Sequence, residues 1–371
     1  MKRLLVLNYE FPPLGGGAGN ATYYLLKEIS KNSDLTIDLV TSSVDQFRIE
    51  QFAPNIKIHY LDIGKKGSLH HQSNKNLLVY SWKAYRYSRK LMRSIRFDLC
   101  HAFFGIPCGY IAMKLGLPYI VSLRGSDVPF YSKRFYWLDV LVFRRMSRKI
   151  WRRAKFVVAN SEKLKELALQ SSSNQMISVI PNGVDTESFQ PLQGKIPGDT
   201  VRLISTGRLI ERKGYTYLLE AMRGLKNISL TLIGDGPLGG AFAEIVKKYQ
   251  LDVTFAGNVP HDKIPTYLQN ADVFILPSLN EGMSNAILEA MACGLAIITT
   301  DTGGSDELIR ENGIIVRKAN SEALHRAIQK VISDKSLITS MGRKSRKLAE
   351  EMSWQIVAEK YRNVYEGTSR N

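Results

Sequence analysis

Val273-Phe274-Ile275-Leu276-Pro277-Ser278-Leu279-Asn280-Glu281-Gly282-Met283-Ser284-Asn285-Ala286-Ile287-Leu288-Glu289 decides the reading of this 371-residue chain. The first four residues form a short, wholly apolar run stopped by a proline, the pattern of a strand buried on both faces. A glycine turn follows, and the spacing then predicts a helix over 284–292. Strand, turn and helix in that order make half of a βαβ unit, whose sheet is parallel and covered by helices. The turn carries polar groups where such sheets bind ligands, outside the carboxyl ends of their strands. Its amides can hold phosphate or sugar oxygens, and Glu281 and Glu289 can accept hydrogen bonds from sugar hydroxyls. Alone, the two glutamates could equally be a solvated helix start.

The same alternation runs outward in both directions. Towards the C-terminus it predicts a strand at 296–300 and a tail helix at about 354–366, with Trp354, Val357, Tyr361, Val364 and Tyr365 at helical spacing. Upstream it predicts strands at 201–205, 229–233 and 253–256 and helices at 213–223 and 238–250. Residues 190–199 hold two Pro and two Gly without periodicity and read as a linker. Before them come predicted strands at 4–8, 36–41, 56–60, 98–102, 119–122, 156–159 and 177–180, with helices at 18–30, 75–96 and 134–153. The expectation is two doubly wound α/β domains, 1–190 and 191–353, with the tail at about 354–371 returning to the first.

Two further loops carry chemistry. Gly15-Gly16-Gly17 leaves the first strand and enters a helix, where close backbone approach and free amides suit an anion; a plain tight turn is the alternative. Its spacing differs from G-x-G-x-x-G, so a dinucleotide cofactor is not expected. Arg208 and Lys213 flank a helix start and could neutralise a diphosphate, or could be a surface pair.

Taken together these segments resemble glycosyltransferase family 4, over essentially the whole length. The matching residues are Glu281 and Glu289 in a Glu-x7-Glu segment, Gly15–Gly17, Gly207-Arg208 with Lys213-Gly214, and Gly234-Asp235-Gly236-Pro237. Asp98 with His101, Arg124-Gly125-Ser126-Asp127, Pro181-Asn182-Gly183-Val184-Asp185 and Gly303-Gly304 complete the set. The resemblance implies a GT-B fold, two Rossmann-like domains facing across a cleft, and a retaining transfer from a nucleotide-sugar donor. It implies that Glu289 binds the donor ribose, Glu281 contacts the donor sugar, and the amides of Met283, Ser284, Asn285 and Ala286 hold sugar and phosphate oxygens. Arg208 and Lys213 would neutralise the leaving diphosphate, His101 would reach the sugar from the other domain, and Gly16 and Gly17 would face the diphosphate. Base contacts are expected near Val259 and acceptor contacts near Arg124 and Asp127. Many relatives carry His where Arg124 stands. No Asp-x-Asp is present, so the expectation is no metal and no cofactor, the nucleotide-sugar being a co-substrate; a UDP-sugar is favoured over GDP-mannose.

Charge is uneven. The chain has net charge +17, but residues 1–190 carry 28 Lys+Arg against 14 Asp+Glu, and residues 191–371 carry 23 against 20. Such asymmetry speaks about partners, not fold. Residues 75–96 hold seven basic and no acidic side chains, interleaved with Tyr80, Trp82, Tyr85 and Tyr87. Residues 133–155 hold nine basic side chains and Asp139. On a helix, Arg144, Arg145, Arg148, Lys149 and Arg152 share one side, opposite Tyr136, Val140, Phe143 and Ile150. With Lys83 and Arg86 they are expected to face an anionic membrane bearing a lipid-linked acceptor, a saccharide acceptor being the alternative. A solvated face is the bland reading, and no nucleic-acid motif is present. The chain shows no apolar run of membrane-spanning length and no signal peptide pattern. Cys100, Cys108 and Cys293 lack metal-ligand spacing and read as buried thiols of a cytoplasmic protein, here peripheral on the inner face of the cell membrane. Rival functions are another GT-B enzyme, such as a nucleotide-sugar epimerase, or a non-catalytic membrane scaffold that binds sugar nucleotides.

Overall fold

The computed structural model describes residues 2–32, 34–65, 73–131 and 139–367. The chain divides into two compact units, Met1–Asn182 with Trp354–Asn371, and Gly183–Ser353.

The first unit runs β1 (Lys2–Leu7), α1 (Gly17–Ser30), β2 (Leu35–Ser43), β3 (Arg48–Ala53), β4 (Ile56–Asp62), α2 (Asn74–Ser94), β5 (Leu99–Phe103), α3 (Tyr110–Leu115), β6 (Tyr119–Leu123), α4 (Arg144–Arg153), β7 (Phe156–Ala159), α5 (Glu162–Ser171) and β8 (Ser178–Val179). Its strands lie in the order β3-β4-β2-β1-β5-β6-β7-β8, all parallel except the β3–β4 pair. The apolar run Leu4–Leu7 is almost wholly buried because β1 has neighbours on both sides and helices on both faces. α1 lays Ala21, Leu25 and Ile29 on the sheet at i, i+4 spacing. Ser73 starts α2 by accepting from the Asn76 amide at 3.1 Å, while Asn76 Oδ1 accepts from the Ser73 amide at 3.3 Å.

The second unit runs β9 (Val201–Thr206), α6 (Tyr215–Ala221), β10 (Ile228–Ile233), α7 (Gly239–Tyr249), β11 (Val253–Gly257), α8 (Ile264–Gln269), β12 (Val273–Leu276), α9 (Asn285–Ala292), β13 (Ala296–Thr300), α10 (Ser305–Leu308), β14 (Gly313–Val316), α11 (Ser321–Ser333) and α12 (Lys335–Glu350). All its strands pair in parallel, in the order β11-β10-β9-β12-β13-β14. That is the doubly wound order 3-2-1-4-5-6, which reverses between β9 and β12. α13 (Trp354–Gly367) then joins the first unit, burying Trp354, Val357, Tyr361 and Tyr365, with Trp354 stacked on Tyr24 at 5.9 Å.

Several expectations need correction. The division falls at 182/183 instead of 190/191. The Val184 amide donates to Met352 O at 3.0 Å, Phe189 is buried in the second core, and Lys195 meets Asp272 at 3.5 Å. The supposed linker is therefore second-unit structure. The helix expected at 134–153 is observed as α4, preceded by a π turn over 139–143; the expectation for 133–138, with Tyr136, lies outside the described residues. β3 and β14 and the helices α3, α5, α8, α10, α11 and α12 were not anticipated. The three cysteines are free and buried, and burial pushes the thiols of Cys108 and Cys293 up to about 12. Among the described residues no helix is long and apolar enough to cross a membrane.

Candidate functional site

In the second unit the loops after β9, β10, β11, β12 and β13 all leave the same edge of the sheet, because every strand is parallel. The loop after β9 carries Gly207, Arg208 and, in the 3-10 turn Glu211–Lys213, Lys213. The loop after β12 carries Ser278 and Glu281. They meet at the reversal point: Lys213 Nζ lies 2.6 Å from Glu281 Oε1, which also accepts from Ser278 Oγ at 2.8 Å. Both charged side chains are mostly buried, 13% and 14% exposed, so this pair is screened far less than a surface one.

Glycine makes that approach possible. Gly214 sits at φ +66°, and a Cβ there would stand 2.1 Å from the Pro277 carbonyl oxygen. A Cβ on Gly303 would likewise stand 2.6 Å from the Glu281 carbonyl oxygen. The Leu279 amide donates to Arg212 O at 2.8 Å, tying the two loops by backbone. Arg208 is exposed and has no ion-pair partner among the described residues.

Ser284 caps α9, its hydroxyl accepting from the Ile287 amide. Met283 and Ser284 are buried, while Asn285 and Ala286 are part-exposed at the helix start, where the first N–H groups have no intrahelical acceptor. One turn on, Glu289 Oε1 lies 2.9 Å from His261 Nε2. Val259 is half-buried in the loop between β11 and His261. Ser278 and His261 were missed in the sequence; a histidine just past a strand's carboxyl end was the available signal.

The first unit departs from expectation. His101 lies on β5 with no exposure, Nδ1 2.9 Å from the Tyr365 hydroxyl and Nε2 2.8 Å from Ser122 Oγ. Burial, then the Arg124 charge, pushes its pKa well below the usual imidazole range. Both nitrogens are spent inside the core, so the catalytic role expected of His101 is corrected to a structural one. Asp127 is also buried: Oδ1 accepts from the Arg124 and Gly125 amides at 2.9 and 3.0 Å, and Oδ2 from the Gly105 amide at 2.6 Å. Burial raises its pKa against those bonds. It ties two loops together and does not present a carboxylate to an acceptor. Arg124 is half-buried, donating to Asn182 Oδ1 at 2.8 Å with its guanidinium over the Phe103 ring at 4.7 Å. Gly16 and Gly17 are exposed at the start of α1, as expected, but Glu10 Oε2 already stands 3.4 Å from the Gly16 amide.

The basic helices are partly committed. Arg144 Nη2 donates to Gln170 O at 3.4 Å and Arg148 Nε to Ser171 O, capping the last turn of α5. That corrects their assignment as freely membrane-facing. Arg145, Lys149 and Arg152 are exposed without acidic partners among the described residues, close in sequence to exposed Val140, Leu141 and Val142. On α2, Lys83 donates to Asp62 O at 2.5 Å and Arg86 lies over the Trp82 ring at 4.7 Å.

Two family models match consecutive stretches: Glycosyltransferase Family 4 over residues 15–188 and Glycosyl transferases group 1 over residues 187–348. An uncharacterized glycosyltransferase of Methanocaldococcus jannaschii is 23% identical over 99% of this chain and 99% of its own length. A phosphatidylinositol N-acetylglucosaminyltransferase chain of Arabidopsis thaliana is 31% identical over 56% of this chain and 48% of that relative. Among solved structures, Anabaena HepE in complex with UDP-glucose shares the fold with a TM-score of 0.75 and 17% identity, covering 99% of this chain and 100% of that one. With its two parallel α/β units and both family models matched in order, the chain belongs to glycosyltransferase family 4 and has the GT-B fold.

Proposed function

We propose that this glycosyltransferase retains anomeric configuration, needs no metal, and moves a sugar from a nucleotide donor, a UDP-sugar in preference to GDP-mannose, to a lipid-linked or saccharide acceptor. The observation that carries this reading is the Ser278–Glu281–Lys213 cluster at the reversal point of the second sheet, with exposed Arg208 near it in sequence and without an ion-pair partner among the described residues. Breaking the anomeric bond leaves an oxocarbenium-like sugar and a diphosphate, so the chief task is stabilising that anion. Lys213 and Arg208 supply positive charge, and the start of α9 supplies amides and the positive end of a helix dipole. Glu281, held by Lys213 and Ser278, offers its carboxylate to sugar hydroxyls and is too committed to serve as a covalent nucleophile. Attack from the face the leaving group departs from then retains configuration. Glu289 receives the ribose hydroxyls. The UDP preference rests on the HepE complex, and a lipid-linked acceptor agrees with the phosphatidylinositol-directed relative.

The same reading puts the enzyme on the cytoplasmic face of an anionic membrane. A groove of about 680 Å³ on the first unit is lined by Lys83, Arg86, Arg89, Lys90 and Arg93 with Trp82. Asp62 is its one acidic lining residue among those described. Donor-dependent release of nucleoside diphosphate, measured across UDP- and GDP-sugars with and without lipid extract, tests the whole. Release without any acceptor requirement would mark an epimerase-like enzyme, and no release would mark a scaffold.

A further inference from the structure

His261 begins the 3-10 turn His261–Lys263 that follows β11 and the loop carrying Val259. Its Nε2 lies 2.9 Å from Glu289 Oε1 on α9, and its ring packs on Phe189 with centroids 5.5 Å apart. An ionised carboxylate only accepts, so Nε2 is the donor and carries a proton in either charge state of the ring. Glu289 Oε2 has no hydrogen-bond partner among the described residues. The bond thus ties the turn after β11 to helix α9 and leaves one carboxylate oxygen unengaged.

We propose that His261 is a positioning residue for the nucleotide end of the donor: it fixes the Glu289 carboxylate with Oε2 left for the ribose hydroxyls and clamps the loop 257–260 to α9. The inference rests on the reading that Glu289 binds the ribose. It extends that reading to a coupling between the loop 257–260 and helix α9, which would grip base and ribose.

The charged groups facing His261 are Glu289 on α9, Asp185 from the segment entering the second unit, and Asp262 in its own turn, itself 3.7 Å from Lys263. The Glu289 hydrogen bond, opposed by burial and aided by these acids, raises its pKa above the ordinary 6.5. Below that raised value the clamp is charge-assisted and Glu289 is neutralised beside an anionic ligand. Above it the bond weakens and the negative charge stands uncompensated, so nucleotide affinity falls as pH rises.

Binding of UDP and of GDP is measured by calorimetry from about pH 6 to about pH 9, spanning the histidine range, on wild type, His261→Ala, His261→Gln, Glu289→Ala and the double alanine variant, with a melting curve for each. His261→Ala weakens the tighter nucleotide about tenfold at low pH, the scale of one charge-assisted hydrogen bond. His261→Gln, which keeps an N–H donor, recovers most of the affinity but loses the pH dependence. The double variant binds like Glu289→Ala, because the histidine acts through the glutamate. Weakened binding in Glu289→Ala with wild-type binding in His261→Ala at every pH overturns this inference alone. Unchanged binding in Glu289→Ala, or no binding of either nucleotide by wild type, overturns the ribose reading beneath it.

Discussion

Lys213 Nζ and Glu281 Oε1 lie 2.6 Å apart across the line where the strand order of the second sheet reverses. The pair joins the loop after β9 to the loop after β12, and Ser278 occupies a further lone pair of the same oxygen. A cation held this way is pre-organised, so in the proposed reaction its charge would meet a leaving diphosphate without rearrangement.

Lys213→Ala and Arg208→Ala should therefore each lower kcat by about 10²–10³, the usual scale for losing one transition-state donor. They should differ in stability. Lys213→Ala strips Glu281 of its counter-charge in a largely buried setting and should cost about 1–3 kcal/mol. Arg208 is exposed and its removal should leave denaturant melts unchanged. Turnover near wild type in both variants would refute the diphosphate role; equal melts would show that the Lys213–Glu281 pair contributes nothing to folding.

His101 and His261 should bend the stability curve from opposite sides. His101 is buried neutral with a lowered pKa, so the unfolded chain binds the extra proton. Stability is then lost as pH falls below the unfolded value near 6.5, by up to about 1.4 kcal/mol per pH unit. The His261 pKa is raised, so its contribution is full below 6.5 and fades as pH rises through the raised value. Urea melts of His101→Gln should lose the acid-side slope, and those of His261→Gln the alkaline one. Tyr365→Phe, which leaves His101 Nδ1 without its partner, should cost about 1–3 kcal/mol and leave donor KM alone. An altered donor KM in Tyr365→Phe with unchanged stability would return His101 to the reaction.

The proposed metal independence rests on the same cations. Turnover should survive excess EDTA, since Arg208, Lys213 and the α9 amides supply the charge a divalent ion otherwise would. Activity lost to EDTA and restored only by Mn²⁺ or Mg²⁺ would overturn it.

Elements buried on both faces were legible in the sequence, since runs such as Leu4–Leu7 and Val273–Leu276 must be apolar whichever helices cover them. β3 was not: Arg48–Ala53 is an edge strand whose Ile49 is 54% exposed, so it needs no apolar pattern. The 182/183 boundary was hidden for a related reason. Proline and glycine mark irregular chain, but whether irregular chain is packed depends on partners far away in sequence, here Met352 and Asp272. At the site, Lys213 and Glu281 were picked out as separate features; that they are one ion pair depends on which strands are neighbours. His101 shows the converse. A histidine on a strand invites a chemical role, and only Tyr365, 264 residues on, reveals that both its nitrogens are spent.

Membrane docking is the remaining prediction, and the structure changes which residues test it. Reversing Arg144 or Arg148 would also uncap α5, so loss of binding there would be ambiguous. Arg145, Lys149 and Arg152 on α4, and Arg86, Lys90 and Arg93 on α2, are exposed and unpaired with acids among the described residues. Each cation near an anionic surface contributes about 1 kcal/mol, fading over a Debye length of roughly 8 Å in physiological salt. Replacing either trio with Glu should weaken co-sedimentation with phosphatidylglycerol vesicles, and replacing both should abolish it, while UDP affinity and melting temperature stay at wild-type values. The wild-type interaction should weaken as salt rises and be absent on neutral phosphatidylcholine vesicles. If wild type ignores anionic vesicles at low salt, the basic faces serve solubility alone and a soluble saccharide acceptor replaces the lipid-linked one.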